Sequence, residues 1–110
     1  MSYNQNLTKR IHTILGERPG LVEKKMFGGV GFILHGNMAC GVQGDDLMVR
    51  ISIENNDTAL SQPFVRQFIA PGGKPMAGWV LVSQEGLERD QDLQQWVELG
   101  YIYASTLPHK

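Results

Sequence analysis

Cys40 is the sole cysteine, so no disulfide can close within the chain. No apolar run approaches the roughly 20 residues needed to cross a bilayer. The opening MSYNQNLTKR lacks the apolar stretch of an export signal. Charge is scarce and balanced: the 10 Lys and Arg nearly cancel the 11 Asp and Glu, leaving a formal net charge of −1. That leaves no overall basic excess of the kind nucleic acid attracts. These shortages exclude a disulfide scaffold and a helical membrane protein, and they make direct nucleic-acid binding an unfavoured reading. A cytoplasmic protein without membrane contact is expected.

What is present suits one small core. The chain has 110 residues, 42% of them hydrophobic, and a chain of that size buries roughly two-thirds of its unfolded surface. A single domain over residues 1–110 is expected. Tyr3, Leu7, Ile11, Ile14 and Leu15 recur at helical steps, so the first segment reads as a helix. Asn4 or Ser2 would cap its start, with Gly16 at its end and Pro19-Gly20 stopping any continuation.

Short strands follow at residues 22–27, 31–34, 38–42 and 47–53. In the last of these, Leu47, Val49, Ile51 and Ile53 alternate with Met48, Arg50 and Ser52. The breaks between them, Gly28-Gly29, His35-Gly36-Asn37 and Gln43-Gly44-Asp45-Asp46, have the composition of tight hairpin loops. Asn55 to Leu60 reads as a short capped helix ended by Pro63, and residues 65–69 and 76–83 as two more strands. Asp90 would cap a long last helix carrying Leu93, Trp96, Val97, Gly100, Tyr101 and Ala104 on its apolar stripe. Gly100 on that stripe would let another element approach closely. The fold class is therefore α+β: an N-terminal helix, an antiparallel β-meander sheet interrupted by a short helix, and a long C-terminal helix.

Candidate chemistry is thin. A P-loop requires Gly-Lys followed by Ser or Thr, yet Gly73-Lys74 precedes Pro75. A dinucleotide fingerprint requires a helix after its glycines, and Gly29-Val30-Gly31 runs into strand-like Phe32-Ile33-Leu34. Gly28 and Gly29 are expected to turn the chain, and Gly31 to clear room across the sheet. His12, His35, His109 and Cys40 lack zinc-ligand spacing, so no metal and no cofactor are expected. Cys40 shares its register with Met38 and Val42 and reads as a buried neutral thiol, with His35 a turn residue. No catalytic residue emerges, and the chain is expected not to be an enzyme. The cations Lys24, Lys25, Arg50, Arg66 and Lys74 come from different strands and one turn; on one outer face they would suit an acidic partner.

The run Lys24-Lys25-Met26-Phe27-Gly28-Gly29-Val30-Gly31-Phe32 resembles the opening signature of the TfoX N-terminal domain family (TfoX/Sxy). Gly36-Asn37-Met38, Asp46 to Ile51, Gly73-Lys74-Pro75-Met76 with Trp79-Val80, Trp96-Val97, Tyr103-Ala104 and Leu107-Pro108 are similar to its later blocks. The resemblance implies a secretion-chaperone-like α+β fold and a bacterial, competence-related regulatory protein. It places Met26, Phe27, Gly28, Gly29, Arg50 and Trp79 at signature positions without a catalytic role. Longer family members are two-domain competence regulators that work with the cyclic-AMP receptor protein. Ending at Lys110, this chain is expected to be a stand-alone single-domain member.

The expected function is a non-catalytic binding or regulatory module acting through protein–protein contacts, as a homodimer or with another protein. The alternative is a small protein or enzyme that holds an anionic ligand in a pocket on the sheet. Lys25, Arg50, Lys74 and Trp79 are the candidate binding face in either case, the cations meeting an anion and the indole stacking on it.

Overall fold

The structure is a computed structural model that describes residues 3–26 and 28–109. Helix α1 spans Gln5–Leu15 and begins where the Asn4 side chain accepts the Leu7 N–H at 3.0 Å. That bond satisfies a donor that the first helical turn leaves without a partner. Leu7, Ile11 and Leu15 form its buried stripe, and Gly16 ends it at φ +61°, where a side chain would be strained. Of the two expected caps, Asn4 takes the role; Ser2 lies outside the described residues.

Six strands follow: β1 (Leu21–Met26), β2 (Gly29–Leu34), β3 (Asn37–Gln43), β4 (Asp46–Arg50), β5 (Val65–Ile69) and β6 (Pro75–Val82). All pairings are antiparallel, in the spatial order β1-β2-β3-β4-β6-β5. The first four strands are the meander that the hairpin loops predict. The chain then leaves β4, passes through a 3-10 turn at Ile53–Asn55 and helix α2 (Asn56–Leu60), and re-enters at the far edge. There β5 becomes the outer strand and β6 folds back between it and β4. Pro75 opens β6, a position where its missing N–H costs no ladder bond.

Strand β4 is shorter than the alternation of residues 47–53 predicts. Leu47, Val49 and Ile51 are buried, but Ile53 begins the 3-10 turn and is 71% exposed. The Ile51 N–H instead goes to the Gly78 carbonyl, and Gly78 sits at φ +89° with its own N–H on the Asn56 side chain. Asn56 also donates to Gln67, whose amide reaches the Met76 and Trp79 carbonyls. Asn56 is thus a buried junction between α2, β5 and β6, and no side-chain cap bond starts α2.

Helix α3 spans Asp90–Ser105, after a 3-10 turn at Gln84–Leu87. Arg89, not Asp90, is its half-in residue; the Asp90 carboxylate accepts a 3.0 Å bond from Arg10 on α1. Leu93, Val97, Gly100 and Ala104 face the sheet. A Cβ on Gly100 would come closer than 3.0 Å to the Ala39 carbonyl oxygen, so the glycine brings helix and strand backbones together. Arg18, just beyond α1, forms a two-pronged ion pair with Glu98 (2.9 and 2.7 Å) and lies 4.4 Å over the Tyr101 ring.

Both long helices cover the same side of the sheet. Paired residues share a face in an antiparallel ladder. That side therefore carries Val30, Phe32, Cys40, Val42, Leu47, Val49, Val80 and Val82, which join Leu7, Ile11, Leu15, Leu93 and Val97 in one core. Each fully buried side chain of this size contributes about 1.5–3 kcal/mol. Cys40 is completely buried there, and burial pushes its thiol up to about 12, as expected of an inert core thiol. No described helix is long and apolar enough to cross a membrane.

Candidate functional site

The second face of the sheet carries no helix. Its register groups Lys24, Gly31, Gly41, Met48, Leu81 and Arg66 in one row across β1, β2, β3, β4, β6 and β5. A parallel row joins Arg50 to Trp79, and Met26, Ile33 and Met38 belong to the same face. A groove of about 690 Å³ lies over it, lined chiefly by Met38, Met48, Phe68, Met76, Trp79 and Leu81. Its surface is mostly apolar.

Glycine shapes the floor. Gly31 and Gly41 face one another across β2 and β3. A Cβ on Gly31 would meet Met26 Sδ at 2.7 Å and Met38 Cε at 3.2 Å; one on Gly41 would meet Met38 Cε at 2.6 Å. The two methionines therefore lie over a strip with no side chains of its own. Gly28 turns the chain at φ +74°, and Gly29 passes so close to the Val42 carbonyl that no Cβ fits. The triple-glycine segment bends and thins the backbone, as the sequence predicts. Of its signature neighbours, Met26 is on this face and Phe27 lies outside the described residues.

The expected cations divide. Arg50 is on the open face, its guanidinium carbon 5.1 Å from the Trp79 ring centroid and 5.8 Å from that of Tyr103 on α3. Both separations suit attraction between a cation and an aromatic face. Among the described residues, no carboxylate or carbonyl accepts from Arg50. Arg66 shares the face but is engaged by Asp46, the one carboxylate among the strand residues there, and by Ser83. Lys24 stands on the open face at the β1 edge. Lys25 pairs with Val30 and so points to the helix side, away from Arg50 and Trp79. Lys74 is exposed in the β5–β6 turn, where its carbonyl accepts from the Ala70 N–H.

Two features of the face are illegible in local sequence. Tyr103 reaches Arg50 only because Gly100 seats α3 against β3 and β4, and helical spacing alone does not point a ring at a strand end. Met38 joins the groove because the β2–β3 register shifts between Phe32 and Ile33, which turns it to the face opposite Cys40, with which simple alternation groups it. His35, at φ +49°, is the turn residue expected; its ring stacks on His109 at 3.8 Å, while Asn37 holds the Pro108 carbonyl. Among the described residues no three His, Cys, Asp or Glu side chains are grouped to hold a metal ion.

Comparison with curated proteins and with solved structures finds no match. The profile of the TfoX N-terminal domain does match, over residues 13–104, from the last turn of α1 to the last turn of α3. That span holds all six strands, the glycine floor and the Arg50–Trp79 pair. The chain belongs to the TfoX N-terminal domain family.

Proposed function

We propose that this protein is a non-catalytic regulatory module that acts by docking another protein on the open face of its sheet. The observation that carries this reading is the groove over Met38, Met48, Met76, Trp79 and Leu81. An apolar sheet face in water is normally covered by a second layer. Here one face is covered by α1 and α3, and the other presents methionine and tryptophan, residue types that adapt to or anchor partner surfaces. Family membership supports a role of the kind competence regulators have. The groove is broad and open along one side, which favours a protein segment over a small ligand, since small-molecule sites enclose most of their occupant.

The test replaces the chromosomal gene with a Met38→Asp, Trp79→Ala double variant and compares it with a deletion. Both residues are partly exposed, so the fold should survive, and circular dichroism of the purified variant checks that. The expected result is that the variant alters the same transcripts as the deletion. A variant that leaves transcription unchanged, or a deletion whose effect is the accumulation of one metabolite, overturns the proposal.

A further inference from the structure

Among the described strand residues, the open face is apolar in its middle and carries three cations, Lys24, Arg50 and Arg66, against the single carboxylate of Asp46. Arg66 already spends its charge on Asp46. Arg50 does not: it lies over two aromatic rings and donates to no described protein acceptor. Ring faces attract the flat side of a guanidinium and leave its N–H edge available, so stacking fixes the group without consuming its donors. A fork held in place this way loses little freedom when it meets a carboxylate, and the pairing it offers is bidentate.

We propose that Arg50 is a carboxylate-docking residue, and that the partner is an amphipathic acidic helix of another protein. The helix lays its apolar side over the partly exposed Met38, Phe68 and Met76, above the buried Met48 and Leu81, and brings one Asp or Glu to the Arg50 guanidinium beside Trp79. This rests on reading the open face as the binding surface. A helix fits because the sheet then gains on this side the layer that α1 and α3 supply on the other. Charge selects against a second copy of the chain, since two such faces meeting would oppose Lys24 and Arg50 of each with no free carboxylate between them. Charge likewise selects against a basic helix.

The test presents the full chain to a displayed library of 16-residue amphipathic helices in which one position of the apolar stripe is fully randomised. Asp and Glu are expected to enrich at that position. Against an Arg50→Glu target, Lys and Arg should enrich instead. Changing the acid of a selected helix to its amide should weaken binding to the natural chain about tenfold and leave binding to Arg50→Gln unaltered. Arg50→Lys, which keeps the charge and loses the fork, should fall between the two. Labelled methionine methyl groups report the seat, with the signals of Met38 and Met48 shifting on binding, and an unchanged thermal midpoint certifies each variant's fold.

Helices that seat on the methionines with no preference for an acid overturn this inference and leave the proposed function standing. So does an acidic helix that binds Arg50→Gln as well as it binds the natural chain. A face that takes no helix, but whose methionine signals shift with decanoate, overturns both. A dimer of the isolated chain at micromolar concentration that Met38→Asp dissolves also overturns the assignment of the partner.

Discussion

Gly100→Ala tests the close approach of helix α3 to the sheet, and the expected sign runs against the usual one. Alanine in place of glycine in a helix interior ordinarily stabilises by about 1 kcal/mol. At position 100 the new methyl would stand closer than 3.0 Å to the Ala39 carbonyl oxygen, and 3.2 Å from the Ala39 carbonyl carbon and from Val49 Cγ1. Carbon and carbonyl oxygen settle at about 3.3–3.6 Å, so helix α3 and β3 must separate by about 1 Å. Two of the three obstacles are backbone atoms that no rotamer change can move. Overpacking costs about 1–3 kcal/mol, and an overlap this deep against backbone belongs in the upper part of that range, about 2–3 kcal/mol. Set against the helical gain of about 1 kcal/mol, a net loss of about 1–2 kcal/mol is expected.

For a domain of this length that is a fall of about 4–9 °C in thermal midpoint, readable by circular dichroism. Gln94→Gly, on the exposed side of the same helix, calibrates the propensity term and should cost about 1 kcal/mol by itself. A Gly100→Ala protein that melts higher than its parent would refute the seating of α3 on β3, and with it the placement of Tyr103 beside Arg50.

Three further outcomes follow from the packing. Gly31→Ala should change stability by less than about 1 kcal/mol, since flexible methionine ends can yield, whereas Gly29→Ala should cost more than about 3 kcal/mol against the Val42 backbone; equal urea midpoints for the two would contradict the register. Arg18 holds the Glu98 carboxyl below its ordinary value, and the ion pair is partly shielded. Its stabilisation, about 1 kcal/mol, is therefore complete above the unfolded carboxylate value of about 4.3 and is lost as pH falls through the lowered folded value. Glu98→Gln should be less stable than the parent at pH 7, and the gap should close in acid; a gap that widens would be inconsistent with the depressed carboxyl. Arg18 is shifted upward from an already high value and adds no pH dependence in that window. Finally, Cys40 should resist a thiol-specific disulfide reagent at pH 8 until urea unfolds the chain, and prompt labelling of the folded protein would deny its burial.

Where the sequence is informative, the reason is local chemistry. Asn4 and Gly16 bracket α1 because capping and positive φ are properties of those residues in any context. Gly28, His35-Gly36 and Gly44 set the hairpins for the same reason, and Gly100 on an apolar stripe announces a close contact before its partner is known. Long-range choices are not written this way. Nothing near residues 75–82 says that β6 pairs with both β4 and β5 and leaves β5 at the edge. Asp90 has the composition of a cap, but Arg10, far off in sequence, claims its carboxylate.

The binding face shows the limit most sharply. Arg50 and Trp79 are legible as a cation and an aromatic on strands, and the ladder sets them side by side. Lys24 and Lys25 are adjacent in the chain, and only the parity of the β1–β2 register decides which of them shares that face. The ladder selects Lys24.

Gly31 and Gly41 have one more consequence. The surface above them is contoured by the thioether chains of Met26 and Met38, which turn about three bonds each, while the glycines beneath stay paired in the β2–β3 ladder. Relief there can change without any movement of the frame. The protein thus offers a mouldable patch on a stiff mount, able to take the imprint of differently shaped visitors while Arg50 stays at a fixed address beside it.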